Sequence, residues 1–449
     1  MLAETEKMER KGGVRLIILI LLVAFLLGGA YLLFARKDGK RAELGDDCRI
    51  VEGYFPLALA VGEKVSVGVA VKNTGENSWD ESYRLGTVED EDPFISPNRV
   101  YLAKGEVVPP GEVKVFRWEL QAPYRLGGEA SLTTDWQMVH EGVGWFGEVF
   151  RQEIKIKAKP IDRSRYICVS GLASADPRRD YREFLDHLSV HNINATRIFL
   201  IYPWDHPAGE PFDLLYQKGA SSSFDERKLR HLRNYVAYAR FHGIEVIISL
   251  FDHCGFCYEK GWRDHPWNSR NGGPINAEAG FMAYREFYMK KYRSLQYAAI
   301  EQVLKWTKDL QPIYETGNEL RTDDGWEFEQ DIINYLRKKG VRVLSSNSDV
   351  VGKILLPEEV FPRVNFYCWH GIGEVNMVDL RLVERYGRKI WFSTDGARGK
   401  WSGFQGRPGA KEMRRVARFA KERGFSVEFM DKLYDIEGRQ QTEVYKVLR

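Results

Sequence analysis

Neither sign of charge dominates this sequence: 66 lysines and arginines stand against 63 aspartates and glutamates, a net of +3 over 449 residues. A protein that tracks a phosphate backbone carries a clear basic excess, so nucleic acid is not an expected partner. Cysteine is scarce as well. The five present, Cys48, Cys168, Cys254, Cys257 and Cys368, are too few for a disulfide framework, and the odd number leaves one thiol unpaired within a monomer. No G-x-G-x-x-G follows the first strand of the C-terminal region, which removes the usual mark of dinucleotide binding. Apolar material, by contrast, is plentiful. A hydrophobic content of 44% with 13% aromatics excludes intrinsic disorder and collagen-like architecture. The length suits two or three domains.

One stretch has no charge at all. Leu16 to Ala35 reads LIILILLVAFLLGGAYLLFA, and at about 1.5 Å per residue it spans roughly 30 Å, the thickness of a bilayer core. A cleavable signal has a shorter apolar core and a small-residue cleavage site, whereas this run passes directly into Arg36-Lys37. It predicts an uncleaved transmembrane helix that meets the lipid bilayer, with residues 1–15 as a tail and 36–47 as a linker. Basic residues flank it equally, Lys7, Arg10, Lys11 and Arg15 before and Arg36, Lys37, Lys40 and Arg41 after, so the positive-inside rule gives no orientation. The short tail favours a cytoplasmic N-terminus and extracytoplasmic C-terminal domains.

Residues 48–159 alternate apolar and polar side chains in short runs, as in Lys64-Val-Ser-Val-Gly-Val-Ala-Val-Lys72, Gly111–Leu120 and Val149–Ile156. Period-2 alternation with turn signals at Asn73-Thr-Gly75, Pro109-Pro-Gly111 and Leu126-Gly-Gly128 predicts about seven strands in an antiparallel β-sandwich. The placing of Trp79, Trp118, Trp136 and Trp145, with Val71-Lys-Asn-Thr-Gly75 and Val108-Pro-Pro-Gly-Glu112, resembles the four-tryptophan immunoglobulin-like domain. That resemblance implies a spacer or docking module with a surface for a protein or glycan partner. Read from the residues alone, these tryptophans pack a core and its rim.

From residue 160 to 449 strands alternate with amphipathic runs. Expected strands are Tyr166–Ser170, Ala195–Ile201, Ile244–Leu250, Pro312–Thr316, Val341–Ser346, Val364–Trp369, Lys389–Thr394 and Ser426–Phe429. Expected helices include Phe224–His242, a long one over Phe281–Leu310, Phe328–Lys339 and Ala410–Arg423, the last two closed by Gly340 and Gly424. The whole reads as an α/β chain whose C-terminal region is a (β/α)8 TIM barrel.

In such a barrel functional groups sit where each strand hands over to its loop. Those places hold Trp204, Asp252-His253, Asn318-Glu319, Trp369-His370 and Asp395-Gly396. Carboxylates after strands 4 and 7 face each other across the mouth, the minimum equipment for glycoside hydrolysis. Trp204, Trp262, Trp267, Trp369, Trp401 and Phe404 lie in or beside the mouth loops, where aromatic faces suit stacking on sugar rings or packing of the loops themselves. Cys254-Gly-Phe-Cys257, with His253 and His265 nearby, lacks the three or four converging ligands of a zinc site, so a local disulfide or free thiols are expected. Cys168 and Cys368 read as small core residues.

Gly317-Asn318-Glu319-Leu320 at the end of strand 4 and Thr196-Arg197-Ile198 in strand 2, with Asp252-His253 and Phe366–His370, resemble the clan of retaining (β/α)8 glycoside hydrolases that includes cellulases and mannanases. The resemblance implies Glu319 as acid/base, Asp395 as nucleophile and Arg197 beneath Asp395 keeping it ionised. It further implies Asn318 on the sugar 2-hydroxyl and His253 and His370 orienting hydroxyls or carboxylates. A polysaccharide or oligosaccharide would be the substrate, with no metal and no organic cofactor. Two positions depart from the clan. Asp395 stands where Glu is usual, and Val427-Glu-Phe-Met-Asp431 lacks the usual strand-8 tryptophan. Retention, inversion with Asp395 as base, and a barrel that binds glycan without cleaving it all stay open, as does a transglycosidase acting on the cell envelope.

Overall fold

The computed structural model describes residues 45–171, 174–202, 212–320, 322–346, 359–361, 363–365, 391–393, 418, 421–422 and 424–429. The expected anchor Leu16–Ala35 lies outside them; among the described residues no helix is long and apolar enough to cross a membrane. The chain divides into two compact units. One is built on Lys64–Gln121 and Leu132–Ile154 with the described residues up to Leu57, and the other on Ala58–Glu63, Ala122–Ser131 and the chain from Lys155 onward.

Eight strands form the N-terminal β-structure: β1 (Cys48–Tyr54), β2 (Ala58–Ala60), β3 (Lys64–Asn73), β4 (Tyr83–Thr87), β5 (Arg99–Tyr101), β6 (Val113–Gln121), β7 (Ala130–His140) and β8 (Gly144–Lys157). They make a three-stranded sheet, β1-β3-β6, and a five-stranded one, β2-β8-β7-β4-β5. The alternation read from the sequence explains the layering. In β3, Val67, Val69 and Val71 are fully buried, and across the ladder β6 turns Phe116, Trp118 and Leu120 the same way. Trp118 of one sheet meets Trp136 of the other with ring centroids 4.1 Å apart, so the inner faces close on a common aromatic core. Trp79 is buried too. Trp145 stays at the rim under the Arg99 guanidinium, 4.8 Å from its ring centre.

The second unit is organised by a curled parallel sheet. In ring order its strands are Ile167–Ser170, Ala195–Phe199, Glu245–Ser249, Ile313–Glu315, Arg342–Leu344, the pair Val360–Phe361 and Arg363–Asn365, Trp391–Ser393 and Ser426–Phe429. Val360–Phe361 pairs back onto Arg342–Leu344 while Arg363–Asn365 pairs forward onto Trp391–Ser393, and Ser426–Phe429 pairs with Ile167–Ser170. Taken as one stave, the two short segments complete eight parallel strands in a ring of the (β/α)8 type. The sixth stave begins earlier than the expected Val364, at Val360.

Alternation sorts these strands into an inside and an outside. Cys168, Ala195, Ile247, Ile313, Leu344 and Trp391 form one buried cluster within the ring. Val169, Ile198, Val246, Ile248, Tyr314 and Val343 join the larger core against the helices. Two positions further along the inward series come Ser170, Arg197, Ser249 and Glu315, a polar layer above an apolar one and nearer the strand ends that carry the site.

The helix Glu226–Phe241 is capped by Asp225, which accepts from the Arg227 and Lys228 amides. Gly340 and Gly424 take φ of +65° and +71°, the left-handed conformation that ends a helix. The long helix expected over Phe281–Leu310 is broken. It consists of Ala283–Tyr288 and Arg293–Thr307 with short 3-10 turns around them, and Met289 between is extended. Neither Pro nor Gly marks the break. Tertiary partners stabilise it: Gln296, fully buried, donates through Nε2 to the Phe287 carbonyl at 2.6 Å and accepts from Arg293 at 2.6 Å. The Phe287 carbonyl at the end of the first helix is thereby satisfied, and Arg293 Nη2 reaches the Tyr288 carbonyl at 3.4 Å.

Candidate active site

Glu319 follows barrel strand 4 and has φ of +50°. A left-handed glutamate carries backbone strain, and such residues concentrate at functional positions. The turn is held on both sides. Asn318 N donates to Phe251 O at 2.7 Å and His253 N to Asn318 O at 3.0 Å, which ties the ends of strands 3 and 4 together. On the far side Leu320 N donates to Ser346 Oγ at 3.0 Å. Glu319 itself is half-buried, while Gly317, Asn318 and Leu320 around it are buried.

Beneath it runs a hydrogen-bonded relay. Arg197 of strand 2, with no exposed surface, makes a fork onto Glu315 of strand 4 (Nε–Oε2 2.8 Å, Nη2–Oε1 2.9 Å). Its Nη2 also donates to Asn318 Oδ1 at 2.9 Å, and Asn318 Nδ2 donates to Asp252 Oδ1 at 2.9 Å. Nη1 lies 3.5 Å from Glu428 Oε1, and that oxygen accepts from Ser170 Oγ at 2.5 Å. One guanidinium thus serves two buried carboxylates and an amide, in the bidentate geometry that suits Arg rather than Lys. Asn318 is fixed through both ends of its amide, and Nδ2 carries a second hydrogen beyond the one given to Asp252.

Asp252 caps the turn His253–Cys257, accepting from the amides of Cys254 and Gly255. It borders a small hollow lined by Phe199, Phe251, Phe256, Trp267 and Phe287. Burial in that apolar wall pushes its carboxyl up to about 7, against the hydrogen bond from Asn318; the charge of Glu319 adds to the rise. His253 is buried, its Nδ1 2.8 Å from the Tyr288 hydroxyl. Its Nε2 has no hydrogen-bond partner among the described residues. Cys254 Sγ donates to Glu319 Oε2 at 2.8 Å.

Glu319, Asn318, Arg197 and Asp252 therefore come together as one assembly, with His253 beside it. Asp395, His370, Trp369, Trp204, Trp401, Phe404 and Cys368 lie outside the described residues. Among the described residues Arg197 pairs with Glu315, Asn318 and Glu428, because its inward position on strand 2 faces the inward acids of strands 4 and 8; its expected place beneath Asp395 lies outside the described residues. Of the two readings open for Trp262 and Trp267, packing of the loops is the one seen: both are buried, donating to Ala277 O and to the Tyr216 hydroxyl, and Trp267 also lines the hollow beside Asp252. His265, also buried, accepts from the Trp267 amide through Nδ1, and burial pulls its imidazole down to about 3. Cys254 and Cys257 are thiols rather than a disulfide, and Cys168 is a buried residue of the ring's inner cluster.

Sequence reasoning missed Glu315, Glu428 and Glu329. Glu329, on the helix Thr322–Lys338, is fully buried; its Oε1 accepts from Thr316 Oγ1 at 2.7 Å and from Ser346 N at 2.6 Å. It buttresses Ser346, which in turn holds the amide after Glu319. Burial pushes its carboxyl up to about 7. The available signal was an acid inside an otherwise apolar strand, as in Ile313-Tyr-Glu315 and Val427-Glu-Phe429, since a charge is not buried without a partner.

No family model matches the sequence, and no curated protein matches it. Solved structures similar to this chain are glycoside hydrolases of several families. A GH5 xyloglucanase of Bacteroides ovatus, in complex with a XXXG heptasaccharide, is 10% identical over 90% of this chain and 99% of that one, with a TM-score of 0.38. An endo-β-1,4-mannanase of Thermotoga petrophila is 12% identical over 65% and 76%, with a TM-score of 0.41. A family 39 glycoside hydrolase of Bacteroides cellulosilyticus is 12% identical over 85% and 75%, with a TM-score of 0.37. The ring of parallel strands, rather than any of these likenesses, defines the barrel.

Proposed function

We propose that the barrel cleaves glycosidic bonds with Glu319 as acid/base and Asp395 as the second carboxylate. The observation that carries this reading is the presentation of Glu319 from a left-handed residue at a strand end, directly beside the Arg197–Asn318–Asp252 relay. A half-buried acid on a rigid, hydrogen-bonded base suits proton transfer to a leaving oxygen followed by activation of water. The uncommitted hydrogen of Asn318 Nδ2 is placed to meet a sugar hydroxyl next to the reacting carbon, a contact that strengthens as positive charge develops. His253 Nε2 is a second polar atom awaiting a ligand.

Asp395 is one methylene shorter than glutamate, about 1.5 Å of reach. With the carboxyl groups about 5–5.5 Å apart it is a nucleophile and the anomeric configuration is retained; at about 6.5–9.5 Å it activates water and the configuration inverts. The chemistry needs no metal or organic cofactor. The uncharged run Leu16–Ala35 anchors the enzyme in a bilayer, with the barrel on the extracytoplasmic side. The sandwich, read as a four-tryptophan immunoglobulin-like module, acts there as spacer or docking domain.

The test is Glu319→Gln and Asp395→Asn assayed on aryl β-glycosides and a panel of β-linked polysaccharides. E319Q is expected to lose about 10²–10⁴ in kcat with an unchanged circular dichroism spectrum. Full activity in E319Q would remove the assignment. The short Asp395 side chain favours one competing reading, a glycan-binding barrel without turnover. Binding of polysaccharide with no reducing ends released would establish that reading instead, and lengthened oligosaccharides would indicate transglycosylation.

A further inference from the structure

The acid/base reading leaves one contact unexplained. Cys254 donates a hydrogen bond to the carboxylate of Glu319 at 2.8 Å, and a second thiol stands one helical turn away. Cys254 and Cys257 both lie on the five-residue helix His253–Cys257. Residues three apart on a helix share a face, with Cα atoms about 5 Å apart, inside the range of about 4.4–6.8 Å that a disulfide spans. The two side chains already touch: the Cys254 thiol is hydrogen-bonded to that of Cys257, and Cys257 Sγ lies 3.8 Å from Cys254 O. Both are thiols rather than members of a disulfide, and neither is fully buried.

We propose that Cys254 and Cys257 form a modification site for low-molecular-weight disulfides, whose closure withdraws the hydrogen bond that orients Glu319. The proposal rests on the acid/base reading of Glu319 for its functional consequence, but not for the chemistry of the thiols. The Cys257 thiolate, its proton given to solvent, attacks one sulfur of the reagent and expels the first thiolate, leaving a mixed disulfide. Cys254 then passes its proton to Glu319 Oε2, attacks the Cys257 sulfur and expels the second thiolate. Two protein thiols are oxidised, one reagent disulfide is reduced to two thiols, and the released thiolates recover the two protons.

The environment decides the order of these steps. The hydrogen bond with Cys257, burial and the negative charges of Asp252 and Glu319 hold the Cys254 thiol well above the ordinary thiol range. Cys254 thus keeps its proton, donates to Glu319 while reduced, and is the resolving rather than the attacking sulfur. After closure Sγ is bonded to Cys257 and has no hydrogen to give. Glu319 loses the partner that fixes one of its oxygens, so Cys254 is a positioning residue for the acid/base.

The full chain, purified under reducing conditions, is treated with glutathione disulfide and then with dithiothreitol. Peptide mapping and steady-state kinetics follow, with Cys257→Ser in parallel. The expected result is a mapped Cys254–Cys257 disulfide, a fall of roughly tenfold or more in kcat with KM little changed, recovery on reduction, and no response of C257S to the oxidant. That fall is part of the 10²–10⁴ that a positioned acid contributes. A mapped disulfide with undiminished kcat would overturn the control of Glu319, and separate glutathione adducts on the two thiols would overturn the dithiol site. If the reduced protein turns over no glycoside, the hydrolase reading fails on its own. The thiol site is then judged by the infrared S–H stretch of Cys254, identified by its loss in Cys254→Ser. Loss of that band on oxidation and its shift in Glu319→Ala support the proposal; a band indifferent to both refutes it.

Discussion

In the sandwich Asn73, Thr87, Gln121 and Thr134 are buried and neutral, and Asp46, whose side chain is fully covered, is held against His140 at 2.9 Å. In the barrel, Arg197, Glu245, Asp252, Glu315, Glu329 and Glu428 are all buried. Among the described residues one unit thus covers a carboxylate–imidazole pair, while the other buries a connected cluster of charges around one guanidinium. Taking a charge out of water costs several kcal/mol unless a partner offsets it, and a hydrophobic core of equal volume stabilises as well or better. A fold under selection for stability alone has no reason to build the Arg197–Glu315–Glu428 cluster. Its place under a strained Glu319 supplies one, because a rigid, fully paired polar layer holds the groups above it in a single geometry.

The sharpest way to break this contrast is Arg197→Met. It leaves two carboxylates buried without their cation, so unfolding in denaturant should show a loss of about 3–5 kcal/mol. Adding Glu315→Met and Glu428→Met should return most of that stability while turnover stays lost. Retention of both stability and activity in R197M would show the cluster to be dispensable.

Next in size is the pH dependence contributed by Glu329. Its folded pKa of about 7 lies above the ordinary glutamate value, so the folded state holds the proton more tightly than the unfolded chain. The resulting stabilisation is complete at pH values below the unfolded pKa, about 4.3, and is lost as pH rises through about 7, a change on the order of 3 kcal/mol. Glu329→Gln cannot ionise. Its Tm relative to wild type should therefore climb between pH 5 and 8, and a constant difference across that range would contradict the buried-acid assignment. Asp252, pushed up in the same direction, contributes a slope of the same sign.

In the sandwich the largest effects should come from apolar volume. Leu120→Ala, at a fully buried position, is expected to cost about 2–4 kcal/mol and to leave kcat on any glycoside unchanged once the protein is folded. A specific loss of kcat there would tie the sandwich to the chemistry. The smallest effect belongs to the surface ion pair Lys64–Glu119, at 2.8 Å with both side chains mostly exposed. Lys64→Ala should leave Tm within experimental scatter, since such pairs are screened by water and salt.

What the amino-acid order determined by itself was local. Period-2 runs such as Lys64–Lys72 put Val67, Val69 and Val71 on one buried face. The eight barrel strands were legible because each is a short apolar run between turn or helix-end signals. Asn318-Glu319 was legible because a motif at a strand end is a local feature. The tertiary structure decided what depends on neighbours far along the chain. The break at Met289 exists because Gln296 and Arg293 satisfy the carbonyls it exposes, and nothing in residues 281–310 announces it. Trp262 and Trp267 went into the core because Ala277 and Tyr216 accept their N–H groups. Arg197 found Glu315 and Glu428, 118 and 231 residues away in sequence, because the curled sheet turns strands 2, 4 and 8 inward on one layer. Periodicity tells each residue which face it occupies; only closure of the ring tells a buried charge which partner compensates it.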